Sequence, residues 1–150
     1  MTIASLQSIS SRRFGVIDAG LERAVVDKYV GELGVRTPDI DTIVGTLSGG
    51  NQQKILLGRW LNACPRIFIL DEPTRGVDIG AKVEIYKLLD RLAAGGVAII
   101  IISSELPEIL GMSDRILVMS EGAIVSELTR DQVTREAIME FATGTRRMGE

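Results

Sequence analysis

The chain has 150 residues, 45% of them apolar and 25% charged, with a formal net charge of −3 at pH 7. This length suits one domain with a buried core, and the negative charge argues against a general nucleic-acid binder, which carries a basic surface. The longest apolar run, Val97–Ile102, is too short to span a bilayer, and no charged-then-apolar leader opens the chain, so we expect neither a membrane span nor a secretion signal.

Two helices are predicted in the N-terminal part from apolar residues at helical spacing. The predicted segments are an aperiodic stretch at 1–18, a helix at 20–34, a loop at 35–47 and a helix at 48–62. Gly34 is a typical helix stop, and Ser48 is a typical N-cap. In the second helix, we expect Leu56, Leu57 and Trp60 to lie in the core.

The middle of the chain is predicted to form a strand, a helix and a second strand, at 66–70, 79–94 and 97–102. The first strand is a short apolar run of the kind that is buried on both faces in a parallel sheet, and the second is β-branched and fully apolar. A connection of this length predicts a right-handed crossover and parallel pairing. Cys64 is expected to be a small buried residue without a catalytic role, because the chain has no histidine to activate it.

The C-terminal part is predicted to contain a β-hairpin between two helices. The predicted segments are a short helix at 105–110, strands at 115–119 and 123–128, a final helix that ends near 142, and a polar tail at 143–150. Thr129 and Gln132 have the spacing of a capping box, which predicts that the final helix begins there.

The sequence Ser48-Gly49-Gly50 is a candidate anion site. The start of a helix presents unpaired N–H groups and a partial positive charge, which favour a bound phosphate. Two glycines leave room for a phosphate to approach the backbone, and the Ser48 hydroxyl adds a donor. An ordinary capped helix start has the same sequence, and this alternative remains open.

Two adjacent carboxylates, Asp71 and Glu72, follow the first predicted strand. Ligands of parallel α/β sheets bind at the carboxyl ends of strands, and the turn predicted at Pro73 places both acids at a loop. In phosphoryl transfer, one such acid commonly holds Mg²⁺ and another polarises the attacking water. A solvated strand end without a catalytic role is the alternative for these two residues alone.

The order of these motifs resembles that of an ATP-binding-cassette (ABC) ATPase. LSGGNQQK at 47–54 resembles the signature motif, and RIFILDEPTRGVD at 66–78 resembles the Walker B strand followed by the D-loop. The forms PTRGVDIGAK, SSELPEIL and MSDRILVMSEGAIVSE are similar to the second cassette of the double-cassette ATPases in ribose- and galactose-type monosaccharide importers. The resemblance covers about residues 20–142.

The resemblance implies a role for each motif residue. Ser48, Gly49 and Gly50 would contact the γ-phosphate of an ATP held by the opposite cassette, with Asn51 and Gln52 flanking that contact.

Among the acidic residues, the resemblance implies that Asp71 would position Mg²⁺ through water. Glu72 would orient and activate the hydrolytic water. Asp78 would lie in the D-loop, at the seam between the two cassettes.

Two departures from the family pattern limit what the chain is expected to do alone. No phosphate-binding loop of the form G-x-x-x-x-G-K-[ST] occurs in the sequence, so we expect an α/β fold that corresponds to the C-terminal part of one cassette and lacks the Walker A half. Such a part would be inactive by itself. In the segment 103–105, Ser104 also stands where cassettes usually have a switch histidine, which implies poor hydrolysis at this cassette's own Walker B site.

The resemblance implies an ATP-binding part of a sugar importer that uses ATP and Mg²⁺. Its expected partners are a second cassette, membrane permease subunits and, indirectly, a periplasmic sugar-binding protein, with no nucleic acid. Its expected location is the cytoplasmic face of the inner membrane, as a peripheral protein. Two alternatives remain open: a non-catalytic module that docks on an intact ATPase, and an ABC ATPase with no role in transport.

Overall fold

The computed structural model describes residues 1–10 and 16–144. The chain divides into two compact units, Met1–Ile100 and Ile101–Glu150. Among the described residues, no helix is both long enough and apolar enough to cross a membrane.

The first unit contains most of the helices and a short two-stranded sheet. Its elements are 3-10 turns at Thr2–Ser5 and Val44–Thr46, α1 (Leu6–Ile9), α2 (Ala19–Glu32), α3 (Gly49–Leu61), β1 (Ile67–Asp71), α4 (Ile79–Ala94) and the start of β2 (Ala98–Ile102). Strands β1 and β2 are neighbours in the sheet, and the predicted α/β fold with parallel strands is confirmed.

Helix α3 contacts α2, α4 and both 3-10 turns. Its buried residues recur at helical spacing along one face and are Gly50, Lys54, Leu57, Gly58 and Leu61. Leu56 and Trp60 lie on another face and are 43% and 49% exposed, so the prediction that they belong to the core was wrong. The apolar stripe was misplaced because a lysine and two glycines occupy part of the buried face.

Strand β1 is buried on one face only. Phe68 and Leu70 are buried, whereas Ile67 and Ile69 are 60% and 63% exposed. The prediction of burial on both faces was therefore wrong for this strand. Apolar composition alone does not reveal whether a second layer covers a strand, because side chains alternate between the two faces whatever lies above them.

Two further segments of this unit differ from expectation. Cys64 is exposed, so the prediction that it is buried was wrong; it has a φ of 50°, and its backbone N–H donates to the Leu61 carbonyl at 2.8 Å in the turn that follows α3. In the stretch predicted to be aperiodic, Thr2–Ser5 forms a 3-10 turn and Leu6–Ile9 forms α1, with Ile9 buried in the core. Residues 11–15 of that stretch lie outside the described part of the chain.

The second unit contains α5 (Leu106–Met112), β3 (Arg115–Ser120), β4 (Ala123–Thr129) and α6 (Arg135–Ala142). Strands β3 and β4 form the predicted antiparallel hairpin, with Arg115 opposite Thr129 and Ser120 opposite Ala123. Its two-residue turn has positive φ at Glu121 (50°) and Gly122 (80°), as a right-twisted hairpin requires. The core residues are Ile116, Val118, Leu128, Ile138 and Phe141.

Helix α6 begins later than predicted. Its N-cap is Thr134, whose side chain accepts a hydrogen bond from the backbone N–H of Ala137. Thr129 is instead the last residue of β4, and its backbone N–H and hydroxyl both donate to Gln132 Oε1 within a turn. The pair thus has the spacing of a capping box but closes a strand-to-helix turn. Of the predicted tail, residues 145–150 lie outside the described part of the chain.

Candidate functional site

Ser48 occupies the N-cap position of α3, with extended backbone angles (φ −60°, ψ 151°). The prediction of its position is confirmed, but its side chain accepts no hydrogen bond from the backbone of the first helical turn. Ser48 and Gly49 are exposed, whereas Gly50 is buried. The helix start therefore presents its first residues to solvent, where an anion benefits from the helix dipole.

Asn51 connects this helix start to the loop after α2. Its Oδ1 accepts a hydrogen bond from the Arg36 backbone N–H at 2.8 Å, and its Nδ2 donates to Ser48 Oγ at 2.9 Å. Gln52, the next residue, donates from Nε2 to the Leu47 carbonyl at 2.7 Å. The Asn51 amide therefore contacts the Ser48 side chain, and the Gln52 amide contacts the backbone just before Ser48.

Gly50 faces the start of α4. A Cβ at this position would lie 2.4 Å from the Ala81 Cβ, and a Cβ at Gly49 would lie 3.3 Å from the Gly76 carbonyl oxygen. The sequence suggested that both glycines make room for a phosphate. The structure gives Gly50 a second reason to lack a side chain, because a Cβ at this position would clash with α4.

Asp78 caps α4. Its Oδ1 accepts a hydrogen bond from the Ala81 backbone N–H at 2.9 Å, which satisfies a donor of the first turn. Between the starts of α3 and α4 lies a cleft of about 180 Å³, which we call the α3–α4 cleft. Its lining includes Ser48, Gly50, Asn51 and Asp78, so four of the predicted site residues meet here.

Lys54 and Glu84 were not identified from the sequence, yet both line the α3–α4 cleft. Lys54 is only 5% exposed, and its Nζ donates to the Gly34 carbonyl at 2.9 Å and to Glu84 Oε2 at 2.5 Å. Arg36 lies 3.6 Å from the other Glu84 oxygen. The sequence did contain one sign that Lys54 is buried: it lies on the same helical face as Gly50 and Leu57, where an apolar residue is usual.

The charges around Glu84 change its acidity. The hydrogen bond and the positive charge of Lys54 hold the pKa of the Glu84 carboxyl below its ordinary value, and Arg36 acts in the same direction. Glu84 therefore stays ionised and keeps α4 paired with α3 over a wider pH range than an isolated glutamate would.

Asp71 and Glu72 lie at the end of β1, and neither belongs to the described lining of the α3–α4 cleft. Asp71 is the last residue of the strand and is exposed. Glu72 has a φ of 48°, and its carbonyl accepts from the Arg75 backbone N–H at 3.2 Å. A non-glycine residue in left-handed backbone is uncommon, and such residues cluster at functional sites.

Ser104 belongs to the second unit and lies in the turn between β2 and α5. Its side chain is exposed to solvent. Its neighbour Ser103 shapes the turn, since Ser103 Oγ accepts from the Glu105 backbone N–H at 3.0 Å.

Comparisons with known proteins agree with the motif order. A family model described as ABC transporter matches residues 8–75. The chain is 50% identical over 136 residues to the ribose import ATP-binding protein RbsA 2 of Streptomyces coelicolor, which covers 91% of this chain and 26% of that protein. It is also 50% identical over 143 residues to the xylose import ATP-binding protein XylG of Geobacillus kaustophilus, which covers 95% of this chain and 28% of that protein.

A solved structure has the same fold. The dimeric structure of MJ0796, a bacterial ABC transporter cassette, aligns with 77% of this chain and 50% of its own, with a TM-score of 0.67 at 21% identity. This chain spans about a quarter of the length of the two import proteins that it matches. Since the family model, the two import proteins and the fold agree, this chain belongs to the ABC transporter family.

Proposed function

We propose that this chain forms the C-terminal part of an ATP-binding cassette in a monosaccharide importer, where it helps to couple ATP binding and hydrolysis to sugar uptake. The observation that carries the proposal is the α3–α4 cleft, where Ser48, Gly50, Asn51 and Asp78 meet at two helix starts. Identity of 50% to a ribose and to a xylose import protein supports a sugar as the transported class.

The proposed role of the α3 start is to bind the γ-phosphate of an ATP held by the opposite cassette. Ser48 and Gly49 are exposed, and the first N–H groups of α3 donate no hydrogen bond to the Ser48 side chain. A phosphate oxygen placed there accepts from backbone N–H groups and gains from the helix dipole. Asp78, on the other wall of the cleft, is proposed to lie at the seam between cassettes.

The proposed role of the β1 end is hydrolysis. Mg²⁺ usually keeps several waters and takes one or two carboxylates together with substrate phosphates. Exposed Asp71 suits such a site as a single ligand through water, and no cluster of three or more metal-binding side chains occurs in the described ranges. Bound Mg²⁺ would neutralise charge on the ATP phosphates. Glu72 is proposed to accept a proton from the attacking water and to orient it.

Ser104 is proposed to weaken hydrolysis at this cassette's own site. A serine hydroxyl can donate a hydrogen bond to a phosphate but carries no positive charge, unlike a protonated histidine. The cassette would then contribute mainly through Ser48, Gly49 and Gly50 to the partner's site.

The proposed partners follow from the proposal that this cassette completes the ATP site of another cassette. One partner is a second cassette, which supplies the phosphate-binding loop opposite Ser48; the related cassette MJ0796 has been solved as a dimer. The others are membrane permease subunits and, indirectly, a periplasmic sugar-binding protein, with the ATPase peripheral on the cytoplasmic face of the inner membrane. No nucleic acid is involved, in keeping with a net charge of −3.

Segment exchange tests the proposal. The matched 136 residues of the S. coelicolor ribose import protein are replaced by those of this chain, and ribose uptake is measured in cells that lack their own importer. We expect uptake to be retained, and to be lost with Ser48→Arg, which fills the α3–α4 cleft. Met139→Arg, on the exposed part of α6, adds the same side chain elsewhere and should leave uptake intact.

Two outcomes would favour the alternatives. Loss of uptake with retained ATP hydrolysis in the exchanged protein would support an ABC ATPase with no role in transport. Loss of both activities in a folded protein would support a non-catalytic docking module. The purified 150-residue chain should release no phosphate from ATP and Mg²⁺ by itself, and measurable turnover would contradict the proposal that it supplies part of a site.

A further inference from the structure

The side-chain amide of Asn51 is held in one orientation by the backbone of Arg36. The Arg36 N–H lies 2.8 Å from the amide and can only donate, so the amide must present its oxygen to Arg36. The NH₂ group of Asn51 therefore faces Ser48 Oγ, 2.9 Å away. A reversed amide would place two donors against each other at Arg36 and is excluded.

The loop that carries Arg36 is itself fastened to α3. Lys54 donates to the Gly34 carbonyl at 2.9 Å, and Val35, between Gly34 and Arg36, is buried. The Arg36 N–H is thus held in place by contacts that do not involve Asn51. This fixed N–H group is the donor that determines the orientation of the Asn51 amide.

The amide orientation determines what the Ser48 hydroxyl can do. An NH₂ group has no lone pair to accept with, so Ser48 Oγ must accept at this contact, and its own hydrogen has to point elsewhere. Since Ser48 is exposed at the start of α3, that hydrogen is available to an acceptor in the α3–α4 cleft.

We propose that Asn51 is a positioning residue that directs the Ser48 hydroxyl hydrogen towards a phosphate oxygen, and that it acts through Ser48 without touching the nucleotide. The inference rests on the proposed function, in which Ser48 contacts the terminal phosphate of ATP. An acceptor-only side chain at residue 51 would do the opposite, because it would draw the hydroxyl hydrogen towards itself and turn an oxygen lone pair to the phosphate.

A double-mutant cycle tests the inference in the assembled ATPase in which the chain works. ATP hydrolysis is measured for the unmodified protein, Ser48→Ala, Asn51→Ala and the double variant. Loss of one hydrogen bond to a charged phosphate predicts that Ser48→Ala lowers kcat/KM by about 10- to 100-fold. Loss of an orienting hydrogen bond predicts about a fivefold loss for Asn51→Ala alone, and no further loss when Ser48 is already alanine.

Two further variants separate positioning from stability. Asn51→Asp keeps an acceptor for the Arg36 N–H but has no donor for Ser48, so kcat/KM should fall further than in Asn51→Ala. It replaces Asn51→Ala in the cycle if that variant does not fold. Asn62→Ala is the matched control, since Asn62 donates to the Ser5 hydroxyl at the other end of α3. It removes the same kind of contact and should leave kcat/KM unchanged.

The cycle distinguishes failure of this inference from failure of the proposed function. If Ser48→Ala lowers kcat/KM but Asn51→Ala adds its full effect in the Ser48→Ala background, Asn51 does not act through Ser48 and the inference is wrong. If Ser48→Ala has no effect in a folded, assembled protein, the proposed phosphate contact is wrong as well. An Asn51→Asp variant as active as the unmodified protein would also overturn the inference.

Discussion

Gly50 in α3 and Ala81 in α4 approach so closely that a Cβ on Gly50 would lie 2.4 Å from the Ala81 Cβ. The two helices thus meet at their first turns, beside the cleft that Ser48 and Asp78 also line. Because Gly50 has no side chain, the start of α3, which is predicted to bind phosphate, can lie this close to the start of α4, which follows the predicted D-loop.

Gly50→Ala is expected to destabilise the chain, because the added methyl group has to displace α4. Overpacking of this kind typically costs about 1–3 kcal/mol in the free energy of unfolding. Urea denaturation of the purified chain measures the loss, and adding Ala81→Gly should recover most of it. Gly31→Ala in α2 is the control, since a Cβ at Gly31 would meet no atom of the described residues within 4 Å beyond its chain neighbours and its own helix backbone. It should be neutral or stabilising by up to about 1 kcal/mol, and an equal loss in both variants would contradict the prediction.

Lys54→Met is expected to loosen the contact of α3 with both the Gly34 loop and α4. The substitution removes the hydrogen bond to the Gly34 carbonyl, which typically costs about 0.5–1.5 kcal/mol in the free energy of unfolding, and it also leaves Glu84 without the donor that Lys54 supplies. Lys28→Met is the matched control, because Lys28 forms an exposed pair with Glu32 at 3.9 Å. Exposed pairs contribute little, so this control should change the unfolding free energy by less than about 0.5 kcal/mol.

Acid should weaken the α3–α4 contact through Glu84. The pKa of this carboxyl is lower in the folded chain than its ordinary value of 4.5, mainly because of Lys54. A group with a lowered folded pKa contributes stability above the unfolded pKa and loses it as the pH falls through the folded value. The thermal unfolding midpoint, measured at pH values from 7 to 3, should therefore decrease once the pH is below about 4.5. In Glu84→Gln, this decrease with falling pH should be less steep. The Lys54→Met variant should show the same flattening, and an unchanged slope in both would show that the pair does not contribute.

Ser104→His is expected to increase ATP hydrolysis by the assembled ATPase, because a protonated histidine would add a positive charge in the phosphate-contacting role proposed for Ser104, and serine carries none. Adding Glu72→Gln should remove the gain, since a general base of this kind typically contributes about 10²–10⁴-fold to the rate. Ser104→Asn, which is polar but uncharged, is the control and should not raise the rate. A gain that survives Glu72→Gln would contradict the proposed role of Glu72 as the general base.

Glu121→Asn is expected to stabilise the hairpin of the second unit. Glu121 has a φ of 50° in a two-residue turn with Gly122, and asparagine adopts this backbone more readily than glutamate. The gain should be about 0.5–1 kcal/mol, seen as a higher thermal unfolding midpoint. Glu121→Ala removes the same carboxylate without favouring positive φ, and should give no gain; a similar increase in both variants would point to charge as the cause.

Much of the secondary structure was predictable because its signals are local. Ser48 and Asp78 begin helices, Gly34 follows the end of one with a φ of +58°, and Gly122 completes a hairpin turn. Each acts on backbone within a few residues of itself. The start of α6 was missed because two threonines, five residues apart, both had suitable capping chemistry, and only the end of β4 decides between them.

The sequence identified several residues of the candidate site, but it predicted only part of how they are arranged in space. Ser48, Asn51 and Asp78 were named from motifs and meet in one cleft. Lys54 and Glu84 in the same cleft were missed, because they are separated by 30 residues and neither belongs to a local pattern that specifies its partner.

The sequence by itself determined the family, the order of the strands and of the helices from α2 onwards, and the chemical groups proposed to bind phosphate, since these follow from motif spacing and local backbone preference. Only the tertiary structure decided that Gly50 touches Ala81, that Lys54 pairs with Glu84, and that Asn51 faces Ser48 with its NH₂ group. Such contacts depend on how close two helices come and on the angle at which they cross. That geometry is set by the packing of whole surfaces, which no local stretch of sequence encodes.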